Sequence, residues 1–317
     1  MQKLMPLTVF MGLALASLLW ATPAHAQATR TWVSGVGDDI NPCSRSMPCK
    51  SFAGAISRTV VGGEINCLDA GGFGTVVITK SITIDCHDVF AGILNPSANG
   101  ININFDGFAP GDTRKTVRLR NLNINGLTTG AIGINIIGIT NAANSLVFIE
   151  DCLIDGMFAG AMRGISDTRT GGELSISNTT VRNIGGTAIA IAPAGSAAPI
   201  DVTVDNVRVQ NANVGIGIAR PARVLIDRSV LSRNTTGGIE ADGGVEVDIS
   251  NSRISNNGIG VRGGGGIIRL SNNGISFNRT GLIGPTTSFG NNRISGNLAA
   301  GTAPTAAGPI SNELGQQ

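Results

Sequence analysis

The sequence predicts an all-β chain wound as a single right-handed parallel β-helix, a solenoid with a short N-terminal capping helix. Three observations predict it. Seven segments repeat one template of alternating apolar residues broken by a polar corner. A third short strand, a small residue followed by aliphatics, recurs after each corner. Glycine supplies 45 of 317 residues while aromatics supply only 4 %, so strand and turn formers abound but large rings for a deep globular core are scarce.

The template covers residues 117–124, 147–154, 174–181, 202–209, 224–231, 247–254 and 268–275, with a partial eighth ending at 294. In Val202-Thr-Val-Asp-Asn206-Val-Arg-Val209, the apolar-x-apolar start puts side chains on one face of a strand. The polar residue two positions later breaks the alternation. It is usually Asn, which tolerates left-handed backbone angles and bonds its own backbone, so it suits a tight corner. Three short strands and three turns then make one coil, and stacked coils share a continuous core that no coil could bury alone. A sandwich or up-and-down barrel lacks such a template.

Stacking should align Asn121, Asp151, Asn178, Asn206, Asn251, Asn272 and Asn291 in one corner ladder. Arg228 interrupts it, and an inward arginine is hard to bury, so that coil is expected to turn differently.

The chain begins as an exported protein would. Lys3, an apolar run from Leu4 to Trp20, and Ala24-His25-Ala26 read as a signal peptide over 1–26, cleaved before Gln27. The product is expected in the periplasm or outside the cell, off the membrane, because no other stretch is apolar enough to span a bilayer. The net charge of +2 gives no electrostatic footprint for nucleic acid.

Residues 27–66 are expected to cap the solenoid. In Lys50-Ser-Phe-Ala-Gly-Ala-Ile-Ser57, Phe52, Ala55 and Ile56 fall at helical spacing, so a short amphipathic helix would plug the open end. The coils are then expected over 67–297, with a loose tail over 298–317. No carboxy-terminal barrel or sorting motif appears there, which argues against an autotransporter.

The string Trp32-Val-Ser-Gly35, Asp38-Asp-Ile-Asn-Pro42, Pro48-Cys-Lys-Ser-Phe52 and Ser81-Ile-Thr-Ile84, with the repeats after it, resembles secreted members of the pectate-lyase-like right-handed β-helix superfamily. The resemblance is specific for fold and weak for function, since that superfamily holds polysaccharide lyases, hydrolases, esterases and adhesins.

Ile65-x-Cys67 and Ile84-x-Cys86 share a local pattern one short coil apart. Neighbouring rungs lie about 4.8 Å apart, within disulfide reach, so Cys67–Cys86 is an expected bridge that would contribute about 3 kcal/mol. Cys43–Cys49 would close a small loop beside the cap. Cys152 is left over, and with no histidine near it in sequence it is expected to be buried and inert.

Chemistry is sparse. His87 is the one histidine after the signal and reads as a turn residue beside a disulfide. In the superfamily's enzymes the third-strand sheet and its loops usually carry the catalytic groups. Here the outward column reads Asn135, Ser166, Ala190, Gly217, Glu240, Gly260 and Ile283, mostly small and inert. The catalytic candidates are Glu240 and Asp242, a carboxylate pair for acid and base work on a glycoside, with Arg220 and Arg262 on the flanking coils. The resemblance implies that such an arginine could instead abstract a proton beside a Ca²⁺-bound uronate. The paired-aspartate and Gly-His-Gly motifs of the superfamily's hydrolases are missing.

On the first-strand sheet the column Glu150, Ser177, Asp205, Asp227, Ser250 holds acids on adjacent rungs. Asp205 and Asp227 would repel unless a cation sat between them, which makes them candidate metal ligands and Ca²⁺ the one cofactor suggested. The expected function is a non-catalytic module that binds a polysaccharide or a surface along a flat side. An atypical lyase or hydrolase comes next, and a structural envelope protein or adhesin third.

Overall fold

The computed structural model describes residues 27–195 and 198–307. The signal segment expected over 1–26, and 308–317 of the tail, lie outside the described residues. Among those described, twelve strands form one all-parallel sheet, from Ala28–Val33 and Thr59–Cys67 through Ile200–Asp205 to Thr305–Ala306. The remaining strands stack as two adjoining parallel rows, so each coil contributes to three faces. No described helix is long and apolar enough to cross a membrane.

The repeated aliphatics make the core. Ile65, Ile84, Leu119, Ile149, Ile176, Val204, Ile226, Ile249 and Leu270 pair in unbroken register along the first sheet, and all are buried. Each such side chain contributes about 1.5–3 kcal/mol by leaving water. The parallel register is what converts a sequence repeat into a column of like side chains.

The corner ladder forms as a file of left-handed residues. Asn121, Asp151, Asn178, Asn206, Asn251 and Asn272 have φ between 49° and 56°. Asn206 donates to Asn178 Oδ1 at 2.8 Å, and Asn272 to Asn251 Oδ1 at 2.8 Å. Two expectations need correcting. Arg228 turns like its neighbours, at φ 47°, because the corner side chain points outward and its guanidinium is never buried. Asn291 stays in file, accepting the Asn272 N–H at 2.9 Å, but its coil carries one extra residue and the left-handed angle moves to Gly290, at φ 86°.

The cap lies within the ladder and does not precede it. Ala28–Val33 already pairs with Thr59–Cys67, so the solenoid starts well before 67. It also runs past 297, through Ala299–Gly301 and Thr305–Ala306. Edge strands leave backbone groups unpaired, and pairing satisfies one side of each. Helix α1, Phe52–Arg58, is inserted between the first two rungs. Phe52 and Ala55 are fully buried, and Phe52 packs on Phe73 at 5.2 Å between ring centroids. Ser51 caps the helix by accepting the Gly54 N–H at 3.0 Å. Asp39 accepts the N–H groups of Lys50 and Ser51 at 2.9 Å each, and the Ser51 hydroxyl at 2.7 Å.

Both disulfides form, Cys43–Cys49 with Cα atoms 4.6 Å apart and Cys67–Cys86 with Cα atoms 4.8 Å apart. Cys152 is free and buried. It occupies the first inward position after the corner, which holds Thr179, Ser229 and Ser252 in later coils. There the residue's backbone N–H donates to the next coil's side chain, and its own side chain donates back to a carbonyl two residues earlier. Cys152 N–H bonds Thr179 Oγ1 at 3.2 Å, and its Sγ donates to Glu150 O at 3.2 Å. Burial pushes the thiol up to about 12. Iodoacetamide at neutral pH is therefore expected to leave the native protein unlabelled and to label one thiol per chain once it is denatured without reductant. Cys152→Ser should leave the unfolding midpoint nearly unchanged, since serine already fills that position elsewhere. Rapid labelling of the folded chain would contradict this placement.

Candidate functional site

The third face is where the catalytic candidates fall. Its outward column reads Asn102, Asn135, Ser166, Ala190, Gly217, Glu240, Arg262 and Ile283 in consecutive register. Arg262, not Gly260, stands opposite Glu240. The local repeat misleads here because Gly258-Ile-Gly-Val261 begins two residues early, and Ile239 pairs with Val261.

Of the four catalytic candidates, the structure brings two together. Arg262 Nε lies 3.8 Å from Glu240 Oε1. The Glu240 side chain folds over Gly237, where an added Cβ would come within 2.7 Å of Oε1. That oxygen accepts no hydrogen bond among the described residues. The pair is part exposed, 25 % for Glu240 and 45 % for Arg262, and such pairs contribute about 1 kcal/mol or less. Asp242 and Arg220 do not join it. Asp242 is exposed in the turn after the strand, and Arg220 is exposed in the preceding coil's turn, packed over Gly244. Neither forms an ion pair among the described residues. The period-two spacing that would aim Asp242 with Glu240 ends where the strand ends, at Ala241.

The first face explains its acids by arginine. Arg228 donates to Asp205 Oδ2 and lies 3.0 Å from Asp227 Oδ2, so its guanidinium occupies the position where the sequence suggests a cation. Asp227 Oδ1 also accepts Ser250 Oγ at 2.8 Å and Asn251 Nδ2 at 2.7 Å. Burial pushes this carboxyl up, but those hydrogen bonds and the Arg228 charge together outweigh it and hold it below its ordinary value. Among the described residues no three His, Cys, Asp or Glu side chains converge as a metal site. Upstream the same device recurs, with Arg120 bridging Asp85 and Glu150 at 2.9 Å each. At the other end of the same two strands, Arg223 forks onto Asp201 at 2.7 and 2.8 Å. His87 lies at the corner as expected, exposed, 3.6 Å from Asp88.

The second face carries outward columns that the repeat template does not single out. Its outward columns begin two residues after each corner, and the signal was present in Val207-Arg-Val, Ser252-Arg-Ile-Ser and Asn292-Arg-Ile-Ser. One column runs Arg208, Val230, Arg253, Gly274, Arg293, and the other Gln210, Ser232, Ser255, Ser276, Ser295. No Asp or Glu occurs on these strands.

Residues 163–309 match the family described as the right-handed β-helix region. Solved structures of similar outline include a pectate lyase, Pel9A, at 14 % identity over 90 % of this chain and 78 % of that one, with a TM-score of 0.49. A GH136 lacto-N-biosidase from Eubacterium ramulus is 12 % identical over 87 % of this chain and 67 % of that one, also at 0.49. A rhamnogalacturonan lyase is 13 % identical over 81 % and 74 %, at 0.39. No curated protein matches the sequence.

Proposed function

We propose that the chain is an exported β-helix module that holds a polysaccharide along one of its side faces without cleaving it. The observation that carries this reading is the third-face column. Glu240 is its only carboxylate from Asn102 to Ile283, and Arg262 is the cation beside it. Glycoside cleavage needs a second, facing carboxyl group, and Asp242, the nearest in sequence, lies in the turn beyond the strand's end and outside this column. Proton abstraction from a uronate needs an arginine free of its own counter-charge. Arg220 has none, but it stands in a turn apart from the Glu240–Arg262 pair. The two disulfides near the start suit an oxidising compartment and so support export.

The test uses the mature protein, polysaccharides of neutral and acidic type, and both the presence and absence of Ca²⁺. Retardation in a polysaccharide-containing gel is expected, with neither unsaturated-product absorbance nor new reducing ends. Glu240→Gln is expected to bind as the parent does. Product formation that disappears in Glu240→Gln or Arg220→Ala would overturn this reading in favour of an enzyme.

A further inference from the structure

From the second face we infer a binding surface for an extended acidic polysaccharide, lying along the solenoid axis over Arg208, Arg253 and Arg293. This rests on the glycan-binding reading above and names the face and the ligand class. The three arginines are exposed and stand on alternate rungs of one column, about 9.6 Å apart. None of their guanidinium groups has a hydrogen bond or ion pair among the described residues. By contrast Arg120, Arg182, Arg223 and Arg228 are each neutralised by an aspartate or glutamate. Arg233 and Arg279, also exposed and without an ion pair among the described residues, flank the same face at its far corner. The result is a one-sign stripe on a chain of net charge only +2, a local field that favours an anionic partner.

The rest of the face is shaped for sugar. Between Arg253 and Arg293 the floor is Gly274, where an added Cβ would meet nothing within 4 Å. Beside the arginines runs the serine column Ser232, Ser255, Ser276, Ser295; Ser232 is buried, and the hydroxyls of the other three, half-buried or exposed, can each donate and accept.

At the corner next to Ser276 stands Phe277, 67 % exposed. It has a left-handed φ of 59° where other coils place Asn183, Asn211 or Asn256. That conformation is costly for a bulky residue. The Phe277 ring lies over Gly296, whose added Cβ would be 3.1 Å from it, so the ring is laid along the stack as a platform. An exposed aromatic held at a strained position beside unpaired cations is the second, independent sign of a ligand.

Charge spacing selects the class. Each strand of a DNA duplex carries a phosphate about every 3.4 Å along the axis, so these arginines would meet only one in three. A hexuronate ring is comparable in length to one rung, and alternate carboxylates of an extended polyuronate would fall near alternate rungs.

The test is affinity electrophoresis of the mature protein in gels containing alginate, galactomannan or single-stranded DNA. The variants are Arg208→Gln/Arg253→Gln/Arg293→Gln, Phe277→Asn and, as control, Arg223→Gln on the first face. Alginate is expected to retard the parent most, with retardation falling as salt rises. The triple variant should lose about tenfold or more in apparent affinity, while Arg223→Gln stays unchanged. Phe277→Asn should bind alginate more weakly although it unfolds at a higher temperature, a combination that loss of fold cannot produce. If alginate retards the parent and the triple variant equally, or galactomannan retards it as well as alginate, this inference fails while glycan binding stands. Stronger retardation by DNA would also overturn it. No retardation by either polysaccharide would remove the glycan-binding reading itself.

Discussion

Arg169→Met is expected to destabilise the protein by about 3–5 kcal/mol, read as a lowered urea midpoint. Arg169 and Asp167 are both fully buried at the turn from the third face to the next first-face strand. The guanidinium uses its whole fork. Nε and Nη2 hold the Asp167 carboxylate at 3.0 and 2.6 Å, Nη1 reaches Ser145 Oγ at 2.6 Å, and Nη2 reaches Glu173 O at 3.1 Å. Its carbon lies 5.3 Å from the Phe105 ring centroid. Removing the cation leaves an unpaired carboxylate in a site closed to bulk solvent. Arg169→Lys should lose much of the same stability, because an ammonium cannot reproduce the planar fork. Asp167→Leu/Arg169→Met should recover a large part of the loss, since both charges then go together. A single variant as stable as the parent would show that the pair is hydrated.

Asn257→Ala is expected to cost about 3–5 kcal/mol, whereas Asn251→Ala, at the exposed corner six residues earlier, should cost about 1 kcal/mol. The difference lies in burial. Asn257 belongs to an inward file, Asn234, Asn257, Asn278 and Asn297. Asn257 Oδ1 accepts the Asn234 N–H at 2.9 Å, Nδ2 donates to Leu231 O at 3.1 Å, and its own N–H donates to Asn278 Oδ1 at 2.9 Å. Truncating it orphans the Asn234 N–H and the Leu231 carbonyl in the core. Asn251 in contrast bonds Asp227 Oδ1 in view of solvent. Equal midpoints for the two variants, by thermal or urea unfolding, would refute the distinction.

This inward file also shows where sequence reading stopped. Ser232-Arg-Asn234, Ser255-Asn-Asn257, Ser276-Phe-Asn278 and Ser295-Gly-Asn297 recur at the spacing of the first corner. They mark a second ladder of left-handed residues, Arg233, Asn256, Phe277 and Gly296, each followed by an Asn that is buried in the first three coils and half-buried at Asn297. The pattern was legible, but a polar residue after a strand reads as an exposed turn until the next coil is seen to cover it. Arg169 gave no signal at all. Its partners Ser145, Glu173 and Phe105 come from three successive early coils, joined by turns whose lengths follow no repeat.

The acids of the first face were legible as a column and illegible as a chemistry. Asp205 and Asp227 do stand on adjacent rungs. What neutralises them is the corner residue Arg228, and its outward reach depends on backbone angles that composition does not disclose. Likewise the sequence marks both Glu240 and Arg262 as candidates, but only register shows them facing each other while Asp242 and Arg220 stand off in turns.

By itself the sequence determined the winding of the chain, the aliphatic file of the core, the plug at Phe52 and both disulfides. Each of these depends on a local pattern repeated at nearly constant intervals, and hydrophobic burial permits one stacking that keeps every apolar position inside. Tertiary structure alone decided which charges meet. An ion pair is fixed by a few ångströms between side chains on different coils, and one extra residue in a turn, as at Gly290, is enough to change which groups stand opposite.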